Sequence, residues 1–127
     1  MDIREIGAIK LSAQRIDYLS EKQQIIAKNI SNSDTPGFRA LEMRPFGEVL
    51  KGVNTSQPVK THPGHLSGVN AGRSANAVVN KTSPMKPNGN NVVLEEQTLA
   101  GTQTQLDHSF ATSLYKKAAA LIVMSSK

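Results

Sequence analysis

The chain has 127 residues, of which 38% are hydrophobic and only 4% aromatic, and it contains neither Trp nor Cys. This composition excludes a large aromatic core, disulfide bonds, a thiolate zinc site and a cysteine nucleophile. The formal net charge is +5, but the basic residues are spread among acidic ones. That distribution is typical of a solvated surface and does not favour nucleic-acid binding.

Residues 1–34 are predicted to form a long N-terminal helix, because their apolar residues recur at helical intervals. Ile9, Ile16 and Ile30 follow a seven-residue spacing, which is typical of a coiled-coil seam. A helix of about 30 residues would be about 45 Å long and therefore needs a long partner. The predicted seam, a candidate assembly interface, comprises Ile6, Ile9, Ile16, Leu19, Ile26 and Ile30.

The first helix is expected to end before Thr35, because the residue before a proline is driven out of the α region. Pro36 and Gly37 suit the two central positions of a type II turn, since proline fixes φ and glycine accepts a positive φ. Asn32 and Asp34 can bond to nearby backbone groups as the helix unwinds. These features alone indicate an ordinary helix terminator as readily as a functional motif.

Residues 35–91 are predicted to be an irregular central region, partly extended or disordered, that follows this turn. All six prolines lie there, and nearly half of residues 51–91 are Gly, Pro, Asn or Ser. Such a segment is either disordered when free or becomes ordered on a partner. The only β-favouring run is residues 77–79, which is too short to predict a strand.

Residues 92–127 are predicted to form the C-terminal helix, with acidic residues in its first turn and lysines near its end, as the helix dipole favours. Because Gly101 and the polar residues after it weaken the pattern, the strongest helix is expected from Gln105 onwards, with a frayed or bent start. Apolar residues recur at intervals of three, four or seven and form one stripe. The stripe comprises Leu99, Leu106, Phe110, Leu114, Ala118 and Leu121, of which Leu106, Phe110, Leu114 and Leu121 are candidate assembly contacts.

These elements predict a mainly α fold with one assembly domain. Its long N-terminal and C-terminal helices pair as a coiled-coil-like hairpin or bundle around the irregular insert. Burial of apolar surface contributes about 25 cal/mol per Å², against about 1 to 2 kcal/mol per residue for backbone ordering. A lone two-helix hairpin is therefore marginally stable, and copies or partners are expected to cover the remaining apolar surface.

No catalytic, cofactor or metal site is predicted. Glycine-rich phosphate loops are absent, and no serine has a plausible catalytic arrangement of His and Asp. His62 and His65 are three residues apart, but Pro63 opposes a helix that presents both, and no further ligand completes a metal site. His108 is interpreted as a surface or inter-subunit polar group.

Residues 27–40 resemble the N-terminal signature of the bacterial flagellar rod, hook and hook-associated family. There, a long helix runs into the pattern Ala-Asn-x-x-Asn-x-x-Thr-Pro-Gly-Tyr/Phe-Lys/Arg. Lys28 departs from the small residue common in that family. The matching residues are Asn29, Asn32, Thr35, Pro36, Gly37, Phe38 and Arg39.

Two further stretches resemble the smallest proximal-rod member of this family. Residues 60–66 are similar to its Thr-x-Pro-x-His-Leu stretch, and residues 89–96 to its Gly-Asn-x-Val-x-Leu-Glu approach to the C-terminal helix. Gln97 stands where that member often has Met, and the C-terminal helix is poor in the usual aromatic residue.

The resemblance implies a structural subunit of the flagellar basal body that builds the proximal rod by helical self-assembly and is required for motility. It implies partners in other rod subunits, in proteins at the junction of the rod with the inner-membrane ring, and in the type III export apparatus. Export to the periplasm-spanning rod is expected without a cleaved signal peptide, since the N-terminus lacks an apolar run of the required length. Neither nucleic acid nor a small-molecule substrate is expected. The alternative is a soluble helical adaptor or chaperone-like module that folds on a partner.

Overall fold

The structure, a computed structural model, describes residues 3–52 and 76–127. The long end helices pack against each other, which confirms the predicted fold class. No helix within the described ranges is long and apolar enough to cross a membrane. The elements in chain order are α1 (Ile3–Ser31), β1 (Leu41–Met43), α2 (Phe46–Gly52), β2 (Ala77–Val79) and α3 (Leu94–Ser125).

Helix α1 buries one face and ends where the turn signals predict. Its buried apolar side chains form two adjacent pairs that lie seven residues apart, which places both pairs on one face of the helix. After Ser31, the backbone N–H and the side-chain amide of Asn32 both donate to the Lys28 carbonyl, which completes the last turn. The buried apolar residues of α1 are Tyr18, Leu19, Ile25 and Ile26.

Helix α3 packs on α1 through small and polar residues rather than through its apolar stripe. Thr104 and Ala111, seven residues apart, are the buried residues of α3. A Cβ atom added at Gly101 would lie 3.6 Å from Cγ2 of Ile26, an ordinary van der Waals distance, so this position faces α1 and alanine would also fit there. The helix runs uninterrupted from Leu94 through Gly101, and the prediction of a frayed start was wrong because this contact supports the first turns.

Polar side chains also join the two long helices. The Gln23 amide donates to Oε1 of Gln105 at 2.9 Å. Nε2 of His108 lies 3.4 Å from the Ser20 hydroxyl. His108 is therefore half-buried at the contact between α1 and α3 within one subunit, and its interpretation as a surface or inter-subunit polar group stays a prediction.

A two-stranded sheet and helix α2 also pack against α1. Strands β1 and β2 are antiparallel, with Leu41 opposite Val79 and Met43 opposite Ala77. The apolar run at residues 77–79 thus forms a strand, whereas neither β1 nor α2 was predicted. Residues 53–75 lie outside the described residues, and with them the stretch 60–66 and its two histidines.

Aromatic packing attaches α2 to α1. The rings of Tyr18 and Phe46 have centroids 5.2 Å apart, and the Arg15 guanidinium lies 5.0 Å from the Phe46 centroid. The Tyr18 hydroxyl donates to the Arg44 carbonyl at 2.8 Å. Burial raises the pKa of Tyr18 above its ordinary value, while the charge of Arg15 acts in the opposite direction.

Candidate functional site

The turn after α1 has the predicted type II geometry. The Phe38 N–H donates to the Thr35 carbonyl at 3.2 Å, and Gly37, the residue after Pro36, has a φ of 74°. An L side chain at this φ is strained, so glycine is required at the second central position of the turn.

This turn folds back onto the segment that leads into α3. The Gly37 N–H donates to the Asn88 carbonyl at 2.9 Å. Gly89 also has a positive φ, of 81°, and a Cβ atom added there would lie 3.3 Å from the Cα of Gly37. A side chain at Gly89 would therefore crowd the Gly37 backbone, and glycine at this position lets the two backbones approach closely.

Asn90 joins the end of α1 to the start of α3. Its side-chain Nδ2 donates to the carbonyls of Asn32 at 2.8 Å and of Thr35 at 2.9 Å. Its Oδ1 accepts the Val92 N–H at 2.8 Å. Asn90 is fully buried, so this one amide satisfies groups at the ends of both long helices.

Asn29 connects α1, β1 and α3. Its amide pairs with the Leu41 backbone as a neighbouring strand would, donating to the carbonyl at 2.7 Å and accepting from the N–H at 2.9 Å. Nδ2 also donates to Oε1 of Gln97 at 3.0 Å. Gln97, which departs from the family pattern, therefore supplies the acceptor on α3.

Asn91 joins the two strands to the segment that leads into α3. Its Oδ1 accepts the Ala40 N–H at 2.6 Å, and its Nδ2 donates to the Asn80 carbonyl at 3.0 Å. Asn80 in turn donates its backbone N–H to the Ala40 carbonyl at 2.8 Å. The chain before β1 and the chain after β2 are thereby held to the start of α3.

We call Asn29, Asn90, Asn91 and the turn at residues 35–38 the asparagine junction. Within the described ranges, no buried side-chain nitrogen or oxygen lacks a hydrogen-bond partner. An unpaired buried polar group costs about 1 to 3 kcal/mol, so each of these amides is energetically important. The described residues contain no cluster of His, Cys, Asp or Glu suited to a metal ion. The junction sets helix geometry and offers no evident reaction chemistry.

The apolar stripe of α3 points away from the subunit. Five of its six members are well exposed, four of them with an exposed fraction above 60%, and Ala118 is half-buried. Monomeric proteins rarely expose a contiguous patch of several large apolar side chains, and such a patch marks an interaction surface. The exposed fractions are 73% for Leu99, 61% for Leu106, 67% for Phe110, 46% for Leu114 and 62% for Leu121.

The predicted seam of α1 is divided between the core and the surface. Leu19 and Ile26 are buried inside the subunit, and Ile9 and Ile16 are half-buried. The two ends of the seam remain exposed, Ile6 at 49% and Ile30 at 37%. Only the ends of this seam are therefore freely available to a neighbour.

The sequence predicted most of the turn but not the segment of the chain that the turn contacts. Asn90 and Asn91 belong to the stretch 89–96, which was noted only as the approach to the C-terminal helix. Nothing in the spacing showed that this stretch meets Gly37. A usable signal was present, since asparagine and glycine concentrate at both helix ends, where orphan backbone groups need partners.

Comparisons with known proteins find similarity to flagellar rod proteins. The family model described as "Flagella basal body rod protein" matches residues 11–39, which contain most of α1 and the turn. The flagellar basal body rod protein FlgB of Agrobacterium fabrum is 28% identical over 131 aligned positions, covering 98% of this chain and 96% of the relative.

Two further FlgB relatives also match the chain. That of Borreliella burgdorferi is 28% identical over 116 positions, covering 84% of this chain and 86% of its own. The FlgB of Yersinia enterocolitica is 36% identical over 47 positions, covering 37% and 34%. Together with the family motif at the asparagine junction, these matches confirm the resemblance to flagellar basal body rod proteins, with FlgB relatives aligned over most of the chain.

Proposed function

We propose that this protein is a structural subunit of the flagellar basal body rod and that the outward stripe of α3 contacts neighbouring rod subunits. The observation that carries the proposal is the orientation of α3. Its small residues Thr104 and Ala111 face α1, while large apolar residues such as Phe110 face outwards. A helix of a self-sufficient subunit would be oriented the other way.

In the assembled rod, a neighbouring subunit covers the exposed stripe of α3. Burying a Leu or Phe side chain contributes about 1.5 to 3 kcal/mol, and the stripe presents five such side chains. If the stripe of one subunit binds a different surface on the next, the contact is heterologous, does not close, and builds a helical filament. The exposed seam ends Ile6 and Ile30 are candidates for that second surface.

The asparagine junction serves this function by positioning the stripe. It ties the last turn of α1 to the first turn of α3 through Asn90 and Asn29. Because the amides are fully buried and paired, the two helices are held in one register. We propose that this rigidity lets the rod transmit torque through its helices.

The similarity to FlgB over nearly the full chain supports a position in the proximal rod and a requirement for motility. It also supports export through the flagellar type III apparatus, contact with proteins at the junction of the rod with the inner-membrane ring, and localisation in the basal body. We propose no enzymatic activity.

A stripe variant tests the proposal in cells. Leu106→Asp combined with Leu114→Asp places two charges on the outward face, so the variant should be made at normal level but should be missing from isolated basal bodies, and the cells should not swim. Swimming-zone diameter and immunoblots of purified basal bodies measure both effects.

A matched control adds the same charge elsewhere on α3. Thr102→Asp combined with Ser109→Asp changes two exposed residues on the flank of the helix, about a quarter turn from the stripe. Both swimming and incorporation should be largely retained. Normal rods from the stripe variant would refute the proposed contact, and failure of both variants would show that α3 tolerates no added charge.

A further inference from the structure

The five large apolar residues of the α3 stripe are spaced symmetrically about Phe110. Leu106 and Leu114 lie four residues on either side of it, and Leu99 and Leu121 lie eleven residues on either side. All five are exposed. A pattern that reads the same in both directions allows two antiparallel copies of a helix to match residue by residue about a twofold axis.

We propose that the free subunit forms an antiparallel dimer of two α3 helices, with the twofold axis at Phe110. Phe110 then contacts Phe110 of the partner subunit, Leu106 contacts Leu114 of the partner subunit, and Leu99 contacts Leu121 of the partner subunit. Each of these five apolar side chains then meets another one. The occupant of the surface is a second copy of this chain.

Charge selects the antiparallel orientation over the parallel one. Lys117 lies on the stripe between Leu114 and Leu121, and in a parallel pair it would face its own copy, as would Glu95 at the other end of the helix. In the antiparallel pair, Lys117 faces Gln103 of the partner subunit. Like charges in direct contact destabilise such a pair, so the parallel alternative is disfavoured at both ends.

The exposed area indicates a weak dimer. Five side chains at these exposed fractions offer several hundred Å² per subunit, below the roughly 800 Å² per partner of a standard interface. An isologous contact also closes on itself and cannot propagate. The dimer therefore belongs to the unassembled subunit, competes with any assembly contact of the same stripe, and does not depend on the proposed function.

The absence of cysteine from the chain makes the geometry testable by cross-linking. Full-length single-cysteine variants Phe110→Cys, Leu99→Cys and Leu121→Cys are purified and treated with a short bis-maleimide at high protein concentration. Phe110→Cys should link to itself efficiently. Leu99→Cys mixed with Leu121→Cys should give a mixed product.

Leu121→Cys alone is the internal control. In the antiparallel dimer, its two copies lie 22 residues apart along the axis, about 33 Å at about 1.5 Å per residue, and should not link to each other. Self-linking of Leu121→Cys as strong as that of Phe110→Cys would indicate a parallel pair and overturn the proposal. So would a wild-type chain that sediments as a monomer at several hundred micromolar.

This outcome is separable from that of the rod proposal. Cross-linking uses the purified chain alone, whereas rod incorporation is measured in cells. A monomeric chain that still requires Leu106 and Leu114 for swimming would refute the dimer and leave the rod contact standing. A cross-linked dimer whose stripe variant still builds rods would support the dimer and refute the rod contact.

Discussion

The two faces of α3 differ in a way that separates folding from assembly. The inner face carries Thr104 and Ala111, which are buried against α1. The outer face carries Phe110 and Leu121, which are more than 60% exposed. In an ordinary amphipathic helix the large apolar residues would face the core of the subunit. Under the proposed function, the large apolar residues of α3 mark its surface for assembly, while its small residues mark its surface for folding.

The largest effect on stability is expected where the inner face is anchored to the asparagine junction. Asn29→Ala leaves both backbone groups of Leu41 and the side chain of Gln97 without their partner. Since buried polar groups without partners cost about 1 to 3 kcal/mol each, the free energy of unfolding should fall by about 2 to 4 kcal/mol. Urea unfolding followed by circular dichroism measures this loss.

Asn32→Ala provides the comparison for that variant. The Asn32 side chain bonds to the Lys28 carbonyl and accepts from Thr35 in an exposed setting, where water can replace it. Its removal should lower stability by less than about 1 kcal/mol. Equal losses for the two variants would show that the buried junction has no special role.

The next largest loss of stability is expected from overpacking the inner face of α3. Ala111→Leu inserts extra carbons where α3 meets α1, and overpacking of this kind costs about 1 to 3 kcal/mol. The same substitution at Ala120, which is exposed on α3, should leave the midpoint of thermal unfolding nearly unchanged. If the Ala111→Leu variant is as stable as the unchanged chain, α3 does not contact α1 at Ala111.

A smaller effect is expected at the turn that positions the start of α3. Gly37→Ala forces an L side chain to a φ of 74° and should lower stability by about 1 to 2 kcal/mol. Gly47, on α2, has no atom within 4 Å of an added Cβ and no positive φ. There the same change should be neutral or stabilise by up to about 1 kcal/mol, which distinguishes backbone strain from the general effect of replacing glycine.

The parts of the fold that depend on local signals could be predicted from the sequence. The extent of α1, its end before Pro36 and the type II turn at Gly37 follow from periodicity and from the backbone preferences of proline and glycine. Leu19 and Ile26 were also identified, although the sequence could not show that they contact their own chain rather than a neighbour.

The rest depends on contacts between distant parts of the chain. Strand β1 has only three residues and exists because β2 and the amide of Asn29 pair with it. Asn90 forms its bonds across 55 to 58 residues, a partnership that no local pattern encodes. Ala111 was overlooked because a small residue contributes little to hydrophobic periodicity, although small size is what allows the helices to approach.

Urea unfolding of the Phe110→Ala variant, at a concentration low enough to keep the chain monomeric, tests the separation of the two faces most directly. Truncating a buried phenylalanine costs about 3 to 5 kcal/mol, whereas an exposed substitution changes stability by no more than about 0.5 kcal/mol. Because Phe110 is 67% exposed, the free energy of unfolding should remain within that narrow limit. A loss of about 3 kcal/mol or more would place Phe110 inside the subunit core and contradict the assignment of this face to assembly.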